Sequence, residues 1–241
     1  MRALSNADFL TLWENGHRLH PLDRALLAIR VSLPEIPSGR VADEPVAAWT
    51  LGRRNRALAE LRTLYFGPRL EGWTACSQCG EMLAFEVDCR ALAQIHEETS
   101  NQPIAVHGST FRLPTTRDLA RIAGETDPQR AALLLLENCA IHHESSEPSR
   151  WSESQIEDVA ERMVLADPLA EIALDFECPV CQHSSEQVLD LSSFLWAEID
   201  SRAKQLLLEI HALATSYGWA ESDILAMSDV RRTTYLQMVQ P

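Results

Sequence analysis

A chain of 241 residues with 46% apolar content holds enough material for one large domain or two small ones around a packed core. Its formal net charge of −14 argues against long-range attraction to nucleic acid or anionic lipid, which needs a basic footprint, and points to protein partners instead. The opening residues, MRALSNADFLTLWENGHRLH, lack the apolar run of a signal peptide, and no stretch approaches the roughly 20 apolar residues of a membrane span; a cytoplasmic protein without membrane contact is expected.

In chain order, Asn6 precedes ADFLTLWENG, where Phe9, Leu10 and Trp13 fall at helical spacing and Gly16 is expected to close the helix with a left-handed cap. A second helix starts at Pro21 and stops before Pro34, Pro37 and Gly39, which predict a loop over residues 34–46. A third, from Leu51 to Phe66, carries Leu58, Leu61, Leu64 and Tyr65 on one side and ends at Gly67 and Pro68. Arg53, Arg54, Arg56, Arg62 and Arg69 crowd this stretch and read as the solvated face of an amphipathic helix.

The character then changes. Met82 to Val87 alternates as a strand does, and IAVHGSTFRLPT reads as a second strand with a turn signal at His107 and Gly108. Thr115 with Asp118 marks a helix start. The chain reads as helical from there to about Ala166, broken by a loop at HHESSEPSR and reopened by Ser152. Strand character returns in QHSSEQVLDL. From Phe194 an apolar stripe through Leu195, Ile199, Ala203, Leu206, Leu207, Ile210, Leu213, Ala214 and Tyr217 predicts a long helix ended by Gly218. Two short helices follow, Asp223 to Met227 and Asp229 to Val239, the last capped by Ser228. No internal repeat stands out.

Six cysteines in a reducing compartment serve as metal ligands, core residues or catalysts more readily than as disulfides. Cys76 with Cys79 and Cys178 with Cys181 form two Cys-x-x-Cys knuckles, each followed by strand-like sequence, as expected for thiolates at the tip of a hairpin. Two thiolates three positions apart on a tight turn reach one ion at about 2.3 Å each, and two such pairs complete a tetrahedron. About 100 residues separate the pairs, against roughly 15–20 in compact zinc ribbons, so an insertion must lie between the hairpins. Four thiolates would leave a zinc ion no open position for an activated water, which favours a structural over a catalytic metal.

Cys89 and Cys139 read as buried small hydrophobes, and His183 as a turn residue. His142, His143 and Glu144 lack the spacing of a catalytic metal helix and read as a solvated loop. Two other classes stay open beside the structural metal: a nucleic-acid-binding or regulatory zinc ribbon, against which the acidic neighbours Glu81, Glu86, Asp88, Asp175 and Glu177 count, and a thiol-redox enzyme, which would place one pair at a helix N-terminus.

Several phrases occur together: LGRRNRALAELRTLYFG before the first knuckle, FRLPTTRDLA, DPLAEIALDFECPVC, DLSSFLWAEI and EIHALATSYGWAESDILAMSDVRRTTYLQMV. They resemble the zinc-ribbon baseplate proteins of phage-like contractile injection systems, related to the phage baseplate hub assembly chaperones, from about Leu51 to Val239 with a weaker echo at PLDRALLAI. The resemblance implies a part in building the baseplate, baseplate or tail-hub proteins as partners, and no catalytic residues. By position the family's knuckle cysteines match Cys76, Cys79, Cys178 and Cys181; Gln182 stands where Gly is common. Tyr217, Gly218 and Trp219 look like a family signature as well, and by themselves read as a helix stop followed by an apolar anchor packed within the molecule.

The expected architecture is mainly α with a small β element. It comprises an N-terminal helical region (1–70), a first knuckle and β-hairpin (71–114), a helical insertion (115–175), and a second knuckle with C-terminal helices (176–241). The two knuckles form a split four-Cys zinc ribbon around one structural Zn2+. The expected function is non-enzymatic, with no small-molecule substrate.

Overall fold

The computed structural model describes residues 1–33, 45–95, 102–142 and 151–239. Most of the loop expected at 34–46, and the loop at 142–150 beyond His142, lie outside the described residues. The chain is mainly helical, with 58% helix against 16% strand. Its elements are α1 (Asn6–Gly16), α2 (Pro21–Ser32), a 3-10 turn at Val46–Ala48, α3 (Leu51–Phe66), β1 (Arg69–Ala75), β2 (Met82–Asp88), α4 (Cys89–Gln94), β3 (Ile104–Val106) and β4 (Ser109–Phe111). There follow α5 (Thr116–Ile122), α6 (Pro128–Cys139), β5 (Ala140–His142), α7 (Glu153–Ala166), β6 (Ala173–Glu177), β7 (Ser184–Val188), α8 (Leu191–Tyr217), α9 (Glu221–Leu225) and α10 (Asp229–Val239). Contacts group these into two compact units, one of Met1–Pro34 with Ser192–Pro241 and one of Glu35–Leu191.

In the first unit, α8 buries Leu195, Ile199, Ala203, Leu206, Ile210 and Leu213, the stripe its period predicts, while Leu207 is exposed. Gly218, at φ +71°, ends it. Gly16 does not act as a cap: α1 runs through it, and Ser5 and Asp8 form a capping box at the other end. Gly16 is required for space, since a Cβ there would lie 2.3 Å from the Trp196 ring. Arg232 is fully buried, its charge met by Glu209 at 2.7 Å and Asp229 at 2.6 Å. Tyr217, Trp219 and Tyr235 pack against one another, Tyr217 stacking on Trp219 at 4.4 Å, so the aromatic phrase is an internal anchor.

In the second unit α3 departs from expectation. Arg54 and Arg62 are buried and Arg53 lies over the Trp49 ring at 4.2 Å, so these arginines do not form a solvated face. Arg69 is in β1, exposed and paired to Glu86 at 2.7 Å. Their polar ends find partners inside the fold: Arg54 donates to Asn55 Oδ1 at 3.1 and 2.9 Å, and Arg62 donates to the Gly67 carbonyl at 2.6 Å. Asn55 in turn donates to the Leu169 carbonyl at 2.7 Å, and the Gly52 N–H, in the first turn of α3, donates to the buried Asp167 carboxylate at 2.8 Å.

The segment between the knuckles has its own core of Phe111, Leu136 and Val159, with Trp151, Ile156 and Met163 packed against it. The predicted second strand is a hairpin, β3 and β4 turning at His107 and Gly108, and β4 also pairs with β5, a strand the sequence did not announce. The helix expected at Thr115 starts there, and Thr115 and Asp118 form a capping box. Asp118 is fully buried; burial alone would raise its pKa, yet bonds from Arg112 at 2.6 and 2.8 Å and from the Thr115 hydroxyl and N–H hold it below the usual carboxylate range. A depressed carboxylate pKa stabilises the fold above the unfolded value of about 3.9 and ceases to do so as pH falls through the folded one. The unit is therefore expected to weaken below about pH 4, and Asp118→Asn to cost about 2 kcal/mol near neutrality while flattening that acid limb, as read from urea unfolding at several pH values.

Candidate metal centre

Two hairpins carry the knuckles. In the first, β1 and β2 pair from Arg69 with Asp88 to Ala75 with Met82; in the second, β6 and β7 pair from Ala173 with Val188 to Glu177 with Ser184. Both turns are closed in the same way. The Cys76 N–H donates to the Glu81 carbonyl at 2.8 Å and the Gly80 N–H to the Cys76 carbonyl at 2.9 Å; the Cys178 N–H donates to the His183 carbonyl at 3.0 Å and the Gln182 N–H to the Cys178 carbonyl at 2.8 Å. The two are thus copies of one local structure, a repeat hidden in the sequence because only the cysteines are shared.

The residue after each second cysteine must be left-handed: Gly80 has φ +78° and Gln182 φ +58°. Gln182 therefore adopts the turn that Gly permits, at a backbone cost of about 1 kcal/mol. A Cβ on Gly80 meets nothing within 4 Å, so Gly80→Ala is expected to cost about 1 kcal/mol from strain alone, and Gln182→Gly to gain about 0.5 kcal/mol, both by urea unfolding of metal-loaded protein.

The four sulfurs converge, all lying within 4.8 Å of one another. Cys76 Sγ is 3.6 Å from Cys181 Sγ, and Cys79 Sγ is 3.6 Å from Cys178 Sγ. Sulfurs at about 2.3 Å from a common tetrahedral ion would be about 3.8 Å apart, so the donor set has the size and type for zinc or another thiophilic metal. The cysteines are free thiols. Cys178 is fully buried and Cys76 nearly so, and both pack with Leu83, Phe176 and Cys181 in a small cluster. Neither pair sits at a helix N-terminus.

Backbone N–H groups of Cys79 and Gln78 point at the Cys76 sulfur and bring its pKa down to about 6. The Glu81 N–H does the same for Cys79, but the Cys181 thiol, desolvation and the other two thiols outweigh it and push Cys79 up to about 12. Four sulfurs this close cannot all ionise unless a cation sits among them; a bound dication inverts that preference and makes them all thiolates.

Contacts the sequence did not announce lock the hairpins together. The Thr74 hydroxyl bonds Gln187 Oε1, Ser77 Oγ meets His183 Nε2 at 3.1 Å, and the Phe85 and Phe176 rings meet edge to face at 5.9 Å. Phe85 lies over Gly72, where a Cβ would come within 2.4 Å of the ring. His183 thus is a turn residue as expected. Cys89 and Cys139 are buried and are not among the four clustered sulfurs, and His143 and Glu144 lie outside the described residues. Among the described residues no helix is long and apolar enough to cross a membrane. No protein-family model matches the chain, and it matches no curated protein and no solved structure.

Proposed function

We propose that this chain is a non-enzymatic assembly protein, folded as a split zinc ribbon around one structural Zn2+, that helps to build the baseplate of a phage-like contractile tail or injection particle. The observation that carries the structural role is the convergence of Cys76, Cys79, Cys178 and Cys181 from two matched knuckles. Four thiolates fill a tetrahedral sphere and leave no position for substrate, so the metal's work is to join segments about 100 residues apart. The baseplate role is supported by the sequence phrases that resemble the zinc-ribbon baseplate proteins, and the strong acidity fits a protein partner better than a nucleic acid or a membrane.

The test is genetic and visual. In a host where this gene accompanies contractile-tail genes, its deletion is expected to leave sheathed tails without baseplates in negative-stain micrographs. The wild-type gene restores them and the Cys178→Ser gene does not. Complete baseplates in the deletion strain would refute the assembly role.

A further inference from the structure

We propose that the cleft between β2 and β6 is a binding site for an extended, basic segment of a partner protein, which enters as an added β-strand. Each hairpin forms a separate two-stranded sheet, so among the described residues neither β2 nor β6 has a second strand neighbour. The bond from the Cys76 N–H to the Glu81 carbonyl sets the ladder's phase: Leu83, Phe85 and Val87 exchange main-chain bonds with β1, and Met82, Ala84 and Glu86 turn theirs outward. By the same rule the bond from the Cys178 N–H to the His183 carbonyl turns the main chain of Asp175 and Glu177 outward from β6.

Between these two edges lies a groove of about 490 Å3 with β2 as one wall, β6 as the other and Pro179 of the second knuckle beside it. Unpaired strand edges are natural templates for strand addition, in which main-chain bonds supply affinity and alternate side chains supply specificity. The alternate side chains here would meet two chemistries. Phe85 and Phe176 offer apolar contact, whereas Asp175 and Glu177 on one wall and Glu86 on the other offer negative charge. Glu86 is already engaged by Arg69, so Asp175 and Glu177 are the charges available to a ligand. That pattern selects a strand with Lys or Arg alternating with β-branched residues and rejects a phosphate backbone. The site stands on the hairpins alone and does not depend on which particle the protein serves.

The probe is a short fluorescent peptide of alternating Lys and Val, titrated into the metal-loaded full chain by anisotropy, alongside the same peptide N-methylated at alternate residues. Saturable binding is expected, weakened about tenfold or more by N-methylation, which removes strand donors and leaves the charge intact. The double substitution Asp175→Lys with Glu177→Lys is expected to weaken it by a similar factor, its circular dichroism and metal content serving as the fold control. Absence of binding to the wild type, or equal binding of the N-methylated peptide, overturns the proposal without bearing on the metal centre. So does equal binding by the folded double variant.

Discussion

A Cys178→Ser chain is expected to be insoluble, or to be cleaved by protease under conditions the wild-type chain survives. Cys178 is fully buried in a cluster made of little more than Cys76, Leu83, Phe176 and Cys181. Two hairpins of five to seven residues a strand bury too little apolar surface to hold each other, and a two-stranded sheet is marginal alone. The bonds of Thr74 to Gln187 and Ser77 to His183 orient the hairpins but are worth only about 1 kcal/mol each. Metal coordination in small structural sites supplies roughly 10–16 kcal/mol, comparable to the whole stability of a domain. Losing one of four thiolates removes much of that and leaves a hydroxyl buried among sulfurs. Cys139→Ala is the matched control: it removes an equally buried thiol that is not among the four clustered sulfurs and should remain soluble and protease-resistant. A Cys178→Ser protein with wild-type melting temperature would refute the structural role of the four thiolates.

Gly52→Ala is expected to be nearly as damaging, at roughly 3–5 kcal/mol, although the change is one methyl group. That methyl would sit 1.6 Å from Asp167 Oδ1, a carboxylate that is itself buried and accepts the Gly52 N–H. Neither side can yield cheaply. Moving Asp167 strips a carboxylate from the positive end of α3 while it stays buried, and moving α3 disturbs Asn55, which holds the Leu169 carbonyl. Differential scanning calorimetry would read the loss directly, and Gly124→Ala, where a Cβ meets nothing within 4 Å, should change stability by less than about 1 kcal/mol in either direction.

The parts legible in the sequence were those governed by neighbours in the chain. The knuckles announce themselves because the thiol spacing is a local requirement, and the helix starts at Thr115 and Ser152 because a cap and its first turn are neighbours in the chain. The stripe of α8 shows because 27 residues repeat one period. What stayed hidden was set by partners far away. The arginines of α3 look like a solvent face until Asn55 and Asp167 draw α3 against the residues that precede β6. Gly16 looks like a cap until Trp196, distant in sequence, is seen to need its space. Strand β1 shows only a weak alternation because Gly72 sits where an apolar residue would complete it, and Phe85 from β2 fills that gap. The three-residue β5 has no pattern of its own and exists only by pairing with β4.

The metal centre itself is tested most directly by elemental analysis of the purified full chain, paired with a thiol count before and after chelation. One zinc per chain is expected, with Cys76, Cys79, Cys178 and Cys181 becoming reactive only after the chelator is added. Folded protein without metal, its four knuckle thiols titrating freely from the start, would contradict the structural centre and with it the role of joining the two hairpins.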